Sequence, residues 1–437
     1  FIMTTALKKT ETVCIKATTL ESYTCSVPLD HSTPEGPQIE IFVRIVSQKG
    51  KEGLKQPYLV KLQGGPGYEC SRPRSQGGWI GTALSKGMKV VLLDQRGTGL
   101  STPITNRTIL RHKTAEAQAE YLSHFRAPAI VADCEIIRKQ LGVDKWSLLG
   151  QSYGGFCCIT YLSQAPSSLA AVYMTGGLAP LSEDPDDVYT RLYKRVLWYN
   201  ERFNEAYPND AAKVRSIVDY LQANKVTLPG GGTLTVRRFQ ALGLGFGFGF
   251  ESMHYLLEHA FDEGPDGKEL GLKFLRTVEN RTHYTTNPLY AVLHESIYCQ
   301  GKASNWSAER VRKQYPQFSV TKDAPVYFTG EMIYPWYFDD FEELQPFKEA
   351  ANIIASKSDW PKLYDKEVLK TNTVPVAAIA YFKDMYVDFD LSMETAEAIQ
   401  NCRIWVTNGY LHNGLGVAGA KILTRLMGLQ NDVLSKV

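Results

Sequence analysis

Between Trp146 and Ser163 the chain runs apolar strand, glycine-bracketed serine, apolar helix, and few stretches restrict a fold more tightly. Trp146–Leu149 leads into Gly150-Gln151-Ser152-Tyr153-Gly154, and Phe156–Ser163 leads away. A G-x-S-x-G pentapeptide in that setting is a sharp strand-to-helix turn that pushes its serine out above a sheet. Neighbouring segments fit such a sheet. Ile39–Val46 alternates with Ile39, Ile41, Val43 and Ile45 on one face, and Tyr58–Leu62, Val90–Leu93 and Ala171–Thr175 are short apolar runs. Ile130–Leu141 places Ile130, Val131, Cys134, Ile137 and Leu141 on one helical stripe. Strands that are apolar throughout and alternate with helices predict an α/β protein with a parallel sheet covered on both faces.

The alternation breaks after Leu181. From Pro185 to about Lys366 the chain is aromatic, charged and mostly helical in period; strands return at Val374–Tyr381 and Arg403–Thr407. We therefore expect a discontinuous core, 1–180 and 367–437, interrupted by a helical domain, 181–366. At 437 residues the chain is long enough for both. Lys and Arg number 48 against 46 Asp and Glu, so no basic excess points to a nucleic-acid partner. No apolar run approaches the roughly 20 residues of a membrane span. No 7–15-residue apolar leader stands in the first twenty residues, which predicts a cytoplasmic location. The eight cysteines include no C-x-x-C pair, so neither a metal site nor a redox motif is expected.

A serine hydroxyl needs a histidine to take its proton and a carboxylate to orient that histidine. Around this motif the partners follow in the order serine, acid, histidine. Of the eight histidines only His412 lies beyond the helical segment, just after the last predicted strand. The acid belongs on the loop after Val374–Tyr381, where Asp384, Asp388 and Asp390 compete. Asp384 comes directly off the strand and is favoured, with Asp388 next. Gln63-Gly64-Gly65-Pro66-Gly67 follows the strand Tyr58–Leu62. Its glycines let backbone N–H groups approach a developing oxyanion, and the hole is predicted to pair the amides of Gly65 and Tyr153. Asp94–Ser101 reads as an Asp/Arg-anchored structural loop beside that turn. Gly243–Gly249, G-L-G-F-G-F-G, has no strand before it and reads as tight packing rather than a phosphate loop. No metal or organic cofactor is called for.

Taken together, Gly64-Gly65-Pro66-Gly67, the D-x-R-G-x-G-x-S run at Asp94–Ser101, Gly150–Gly155 and the Asp384 and His412 segments resemble the prolyl aminopeptidases (proline iminopeptidases). The segments His294–Cys299 and Thr329–Trp336 resemble the longer form of that family, and Gln63 departs from the histidine many members carry there. The resemblance implies an α/β-hydrolase fold with a large helical cap inserted after the sixth strand. It also implies a serine exopeptidase that releases N-terminal proline from peptides through a prolyl-enzyme ester. Family members hold the free amine with acidic cap residues, and Glu295 and Glu331 are the matching positions. A buried ammonium needs such carboxylates, or its desolvation would cancel the binding. Phe328, Tyr334, Trp336 and Tyr337 either wall a slot for the pyrrolidine ring or belong to the cap core. Two other readings stay open: a small-acyl esterase or amidase, and a non-catalytic ligand-binding protein on the same scaffold.

Overall fold

Strands β1 (Lys8–Ile15), β2 (Thr18–Pro28), β3 (Gln38–Gln48), β4 (Tyr58–Leu62), β5 (Lys89–Asp94), β6 (Trp146–Gln151), β7 (Leu169–Thr175), β8 (Val376–Tyr381) and β9 (Cys402–Thr407) form one sheet. They do so in a computed structural model that describes residues 6–74, 76–182, 184–264, 267–322 and 324–430; the first five residues of the stretch searched for a leader lie outside it. The order is β1-β2-β3-β5-β4-β6-β7-β8-β9. Pairs from β1 to β5 are antiparallel, and every pair from β5 through β4 to β9 is parallel.

The parallel strands are buried on both faces. Val60, Leu62, Val91, Leu93, Leu148, Val172, Met174, Val376 and Ala378 point to one side, beneath the helices Ala127–Gln140 and Tyr153–Gln164. Leu59, Val90, Leu92, Leu149, Tyr173, Ala377 and Ile379 point to the other, beneath Gly78–Ser85 and Gly414–Leu429. That period of two, filled with Val, Leu and Ile on both sides, is the physical content of the apolar runs. The β1 strand had no such signal. Its sequence KKTETVCI is exposed almost throughout, and it pairs with β2 at the sheet's edge. Because β1 is an additional edge strand, the helical insertion follows the seventh strand of this chain, β7.

The segment between β7 and β8 opens with the helix Pro185–Ala206. Asp184 accepts from the Asp186 N–H at 3.0 Å, Pro185 occupies the first helical position, and Asp186 and Asp187 complement the helix dipole. Its core is aromatic: Phe246 and Phe328 pack against Phe203 at 5.0 and 6.2 Å between centroids. Tyr334 stacks on Trp336 and shares a 2.9 Å hydrogen bond with Tyr193, and Tyr337 stacks on Phe341. The four aromatic residues considered for a ring slot are thus built into this core. Among the bonds that tie it to the sheet domain, Arg126 Nη2 donates to the Cys299 carbonyl, the Tyr199 hydroxyl to the Lys383 carbonyl at 2.6 Å, and the Tyr386 hydroxyl to the Leu244 carbonyl. Among the described residues no helix is long and apolar enough to cross a membrane.

Candidate active site

Ser152 sits between β6 and the helix Tyr153–Gln164 with φ +54° and ψ −129°, a conformation that costs a non-glycine residue about 1–3 kcal/mol. Neighbours hold it there. The Ser152 N–H donates to the Thr175 carbonyl at the end of β7 (3.1 Å), and the Gly155 N–H donates to the Ser152 carbonyl (2.7 Å). The flanking glycines are required by space: a Cβ at Gly150 would overlap the Gly154 carbonyl, and one at Gly154 would overlap the carbonyl of Leu62 on β4. The motif therefore locks the serine to β4 and β7, the two strands that flank β6.

The turn after β4 lies against this serine. A Cβ placed on Gly64 would come 3.0 Å from the Ser152 Cβ and 3.7 Å from its Oγ. The Gln63 N–H donates to Gln95 Oε1 at 2.7 Å, and Gly65 has φ +122°, open to glycine alone at low cost. Tyr153 begins the helix, where backbone N–H groups have no partner within the helix. The Asp94–Ser101 loop buttresses the turn as expected. Buried Asp94 takes two bonds from Arg72 (2.8 and 2.6 Å), and buried Arg96 binds Asp133 through Nε (2.8 Å) and Nη2 (2.6 Å).

Asp384, on the loop after β8, and His412, after β9, meet: Asp384 Oδ2 lies 2.8 Å from His412 Nδ1. The other oxygen, Oδ1, accepts from the backbone N–H groups of Tyr386 (2.9 Å) and Val387 (3.1 Å), which fixes the carboxylate's rotation. Burial works against an imidazolium at His412, yet the Asp384 charge and hydrogen bond, with the Glu331 charge, outweigh it and raise the pKa above the ordinary histidine value. Asp388 has another occupation. It caps the helix Phe389–Ala398 by accepting from the Leu391 N–H at 3.1 Å, and Arg191 lies 4.0 Å away. Asp390 is exposed, with Arg191 at 3.7 Å.

Glu331 and Glu295 come from the insertion and differ in their partners. Glu331 Oε1 accepts from the Tyr290 hydroxyl at 2.7 Å, and burial raises its pKa to about 7 against the pull of His412 and Tyr290. Glu295 accepts at both oxygens from the start of the helix Ser307–Arg312: the N–H of Ser307 (3.1 Å) and that of Ala308 (2.8 Å). Burial lifts it too to about 7. The charges of both carboxylates reach the buried Tyr189, whose hydroxyl has no partner among the described residues. Sequence reasoning missed the aromatic frame around these groups. Tyr290 packs edge-on against Tyr68 (5.6 Å) and 4.9 Å from buried His294, and Tyr386 packs edge-on against His412 (4.7 Å, 75°). The available signal was proximity in sequence: Tyr386 lies two residues beyond Asp384, and Tyr290 one helical turn before His294.

The geometry can support acyl transfer: a half-buried serine on a sharp turn, an oriented histidine, backbone donors and nearby carboxylates. The family model described as the alpha/beta hydrolase fold matches residues 57–221. A proline iminopeptidase from Aeromonas sobria is 48% identical over 416 residues, covering 94% of this chain and 96% of that protein. The proline iminopeptidase aneH of Aspergillus aculeatus is 38% identical over 416 residues, covering 93% and 92%. A solved proline iminopeptidase from Mycobacterium smegmatis aligns over 93% of this chain and 98% of that one, at 14% identity and TM-score 0.41. With the 48% and 38% relatives matched along nearly their whole length, the chain belongs to the proline iminopeptidase family of α/β hydrolases.

Proposed function

We propose that the chain is a serine exopeptidase that releases N-terminal proline from peptides. The observation that carries this is a half-buried glutamate, Glu331, whose charge bears directly on the Asp384–His412 pair. A peptide's free ammonium at Glu331 leaves only its first carbonyl beside the nucleophile. Core 1–180 with 367–437 supplies the chemistry, and 181–366 acts as the cap that holds the amine. Glu331 is the direct anchor, while Glu295, engaged at the start of a helix, adds negative charge behind it. The assignment agrees with the names of the relatives from Aeromonas sobria and Aspergillus aculeatus.

His412, oriented through Nδ1 by Asp384, takes the Ser152 proton as Oγ attacks the prolyl carbonyl. The tetrahedral oxyanion is held by the amides of Gly65 and Tyr153. Collapse breaks the C–N bond, and His412 gives its proton to the departing amine. Water then adds to the prolyl ester, with the same histidine as base, to free proline and Ser152. A cytoplasmic location would supply peptides from intracellular breakdown.

The test compares a proline arylamide, its N-blocked counterpart and a simple acetyl ester. Ser152→Ala should lose at least about a thousandfold on all substrates it hydrolyses. Glu331→Gln should lose far more on the proline arylamide than on the ester. Equal rates on free and N-blocked proline arylamide would replace the exopeptidase with the esterase or amidase alternative. Failure of a serine-directed covalent probe to label the parent protein would favour a non-catalytic scaffold.

A further inference from the structure

The glycine run Gly243–Gly249 is unused by the chemistry above, yet its two ends touch both halves of the site. Ala241–Phe248 forms a 3₁₀ coil. At one end, a Cβ on Gly243 would overlap the Thr329 carbonyl and the Phe328 side chain, and the Thr329 N–H donates to the Gln240 carbonyl at 2.9 Å. Thr329 stands two residues before Glu331. At the other end, a Cβ on Gly247 would overlap the ring of Tyr386. The Tyr386 hydroxyl donates to the Leu244 carbonyl, and Phe248 packs on the same ring at 5.6 Å. Tyr386 in turn donates its N–H to Asp384 and lays its ring against His412. Gly243 and Gly247 are four residues apart, about 8 Å along a 3₁₀ coil. The missing side chains let the Phe328–Thr329 segment leading to Glu331 and the Tyr386 ring both rest directly on its backbone.

We propose that the 241–248 coil is a spacer setting the distance between Glu331 and the Asp384–His412 pair, with Tyr386 as the positioning residue that transmits it. The proposal rests on Glu331 being the amine anchor. The spacer then decides the register: how many backbone atoms fit between a held ammonium and the carbonyl presented to Ser152. A substrate that uses both points feels any change in their separation, since misplacement of about 1 Å can cost a hundredfold in rate. An ester without an amine uses only the triad and does not.

The experiment measures kcat and KM for the proline arylamide and for an acetyl ester, with Gly247→Ala, Gly243→Ala and Tyr386→Phe beside Glu331→Gln. Tyr386→Phe keeps the ring on His412 and removes only the bond to Leu244, so it remains informative if an alanine variant fails to fold. The spacer predicts that each folded variant loses at least about tenfold more on the proline arylamide than on the ester. It also predicts that in Gly247→Ala, Gly243→Ala and Tyr386→Phe the acid limb of the ester's pH profile moves by less than it does in Glu331→Gln, because the Glu331 charge is displaced rather than removed. Equal losses on both substrates, or an ester limb displaced further than in Glu331→Gln, would reduce Tyr386 to a support of His412 and overturn the spacer. No loss on either substrate would overturn it as well. If Glu331→Gln itself fails to discriminate the two substrates, the amine anchor is wrong, an outcome separable from a failed spacer.

Discussion

Asp384 and Asp388 stand four residues apart, and their contacts divide two tasks between them. Asp384 binds His412 and two backbone amides; Asp388 starts a helix. Asp384→Asn turns an amide toward Nδ1 and favours the wrong tautomer, so kcat on a proline arylamide should fall by about 10³–10⁴. Asp388→Asn keeps a capping oxygen and should retain most of the parent rate; the reverse ranking would move the orienting role to Asp388. The charge of Glu331 is one of the influences raising the His412 pKa. Neutralising it removes a negative neighbour that favours imidazolium, so Glu331→Gln should shift the acid limb of kcat/KM for the acetyl ester toward lower pH. A limb that moves up or stays put would separate Glu331 from His412. The sharp turn at Ser152 and the Asp384–His412 contact were legible from the glycine-bracketed motif, the chain order and the place of Asp384 directly off its strand. Tyr290 and Tyr386 were not, because their importance comes from rings meeting residues across the fold, and neither sits in a motif.

Legibility at the level of elements follows how apolar each element's own sequence is; polar β2, TTLESYTCSVP, is largely buried yet was not read. Strands β4 to β8 were readable because both faces are apolar, whereas exposed β1 carries no periodic signal. The insertion was readable as helical but not in its connections, since its aromatic residues pair across long stretches, as Phe203 does with Phe328. Within the core one tight element junction is the turn at Ser152, where Gly154 meets the backbone of β4. A methyl there cannot be relieved by rotating a side chain, because its neighbour is a carbonyl on a central strand. Gly154→Ala should therefore cost several kcal/mol of stability, in the range that marks core overpacking and backbone strain. Thermal unfolding of the purified variant checks it; a melting temperature within a degree or two of the parent would mean that β4 and the turn are less rigidly coupled than the packing indicates.

Across the whole molecule, opposite charges nearly cancel to +2, but buried Glu295 and half-buried Glu331 make a local demand that the total conceals. Glu295 is only 5% exposed, and its pKa stands at about 7 against an ordinary value of 4.5. Between those values the folded chain keeps a proton that the unfolded chain releases. The native state thus binds more protons, and stability attributable to this group falls as pH rises through that window. A difference of that size corresponds to about 3 kcal/mol. The backbone amides of Ser307 and Ala308 offset part of the burial without abolishing it. Glu295→Gln removes the titration while keeping an acceptor oxygen, so whatever its absolute stability, the variant should gain on the parent as pH increases. Urea unfolding followed by tryptophan fluorescence at pH 4.5, 6 and 8 measures the gap. It should move toward the variant by up to about 3 kcal/mol and level off above pH 7. A gap independent of pH would mean that Glu295 is ionised in the folded chain at ordinary acidity, and that the helix start compensates its burial in full.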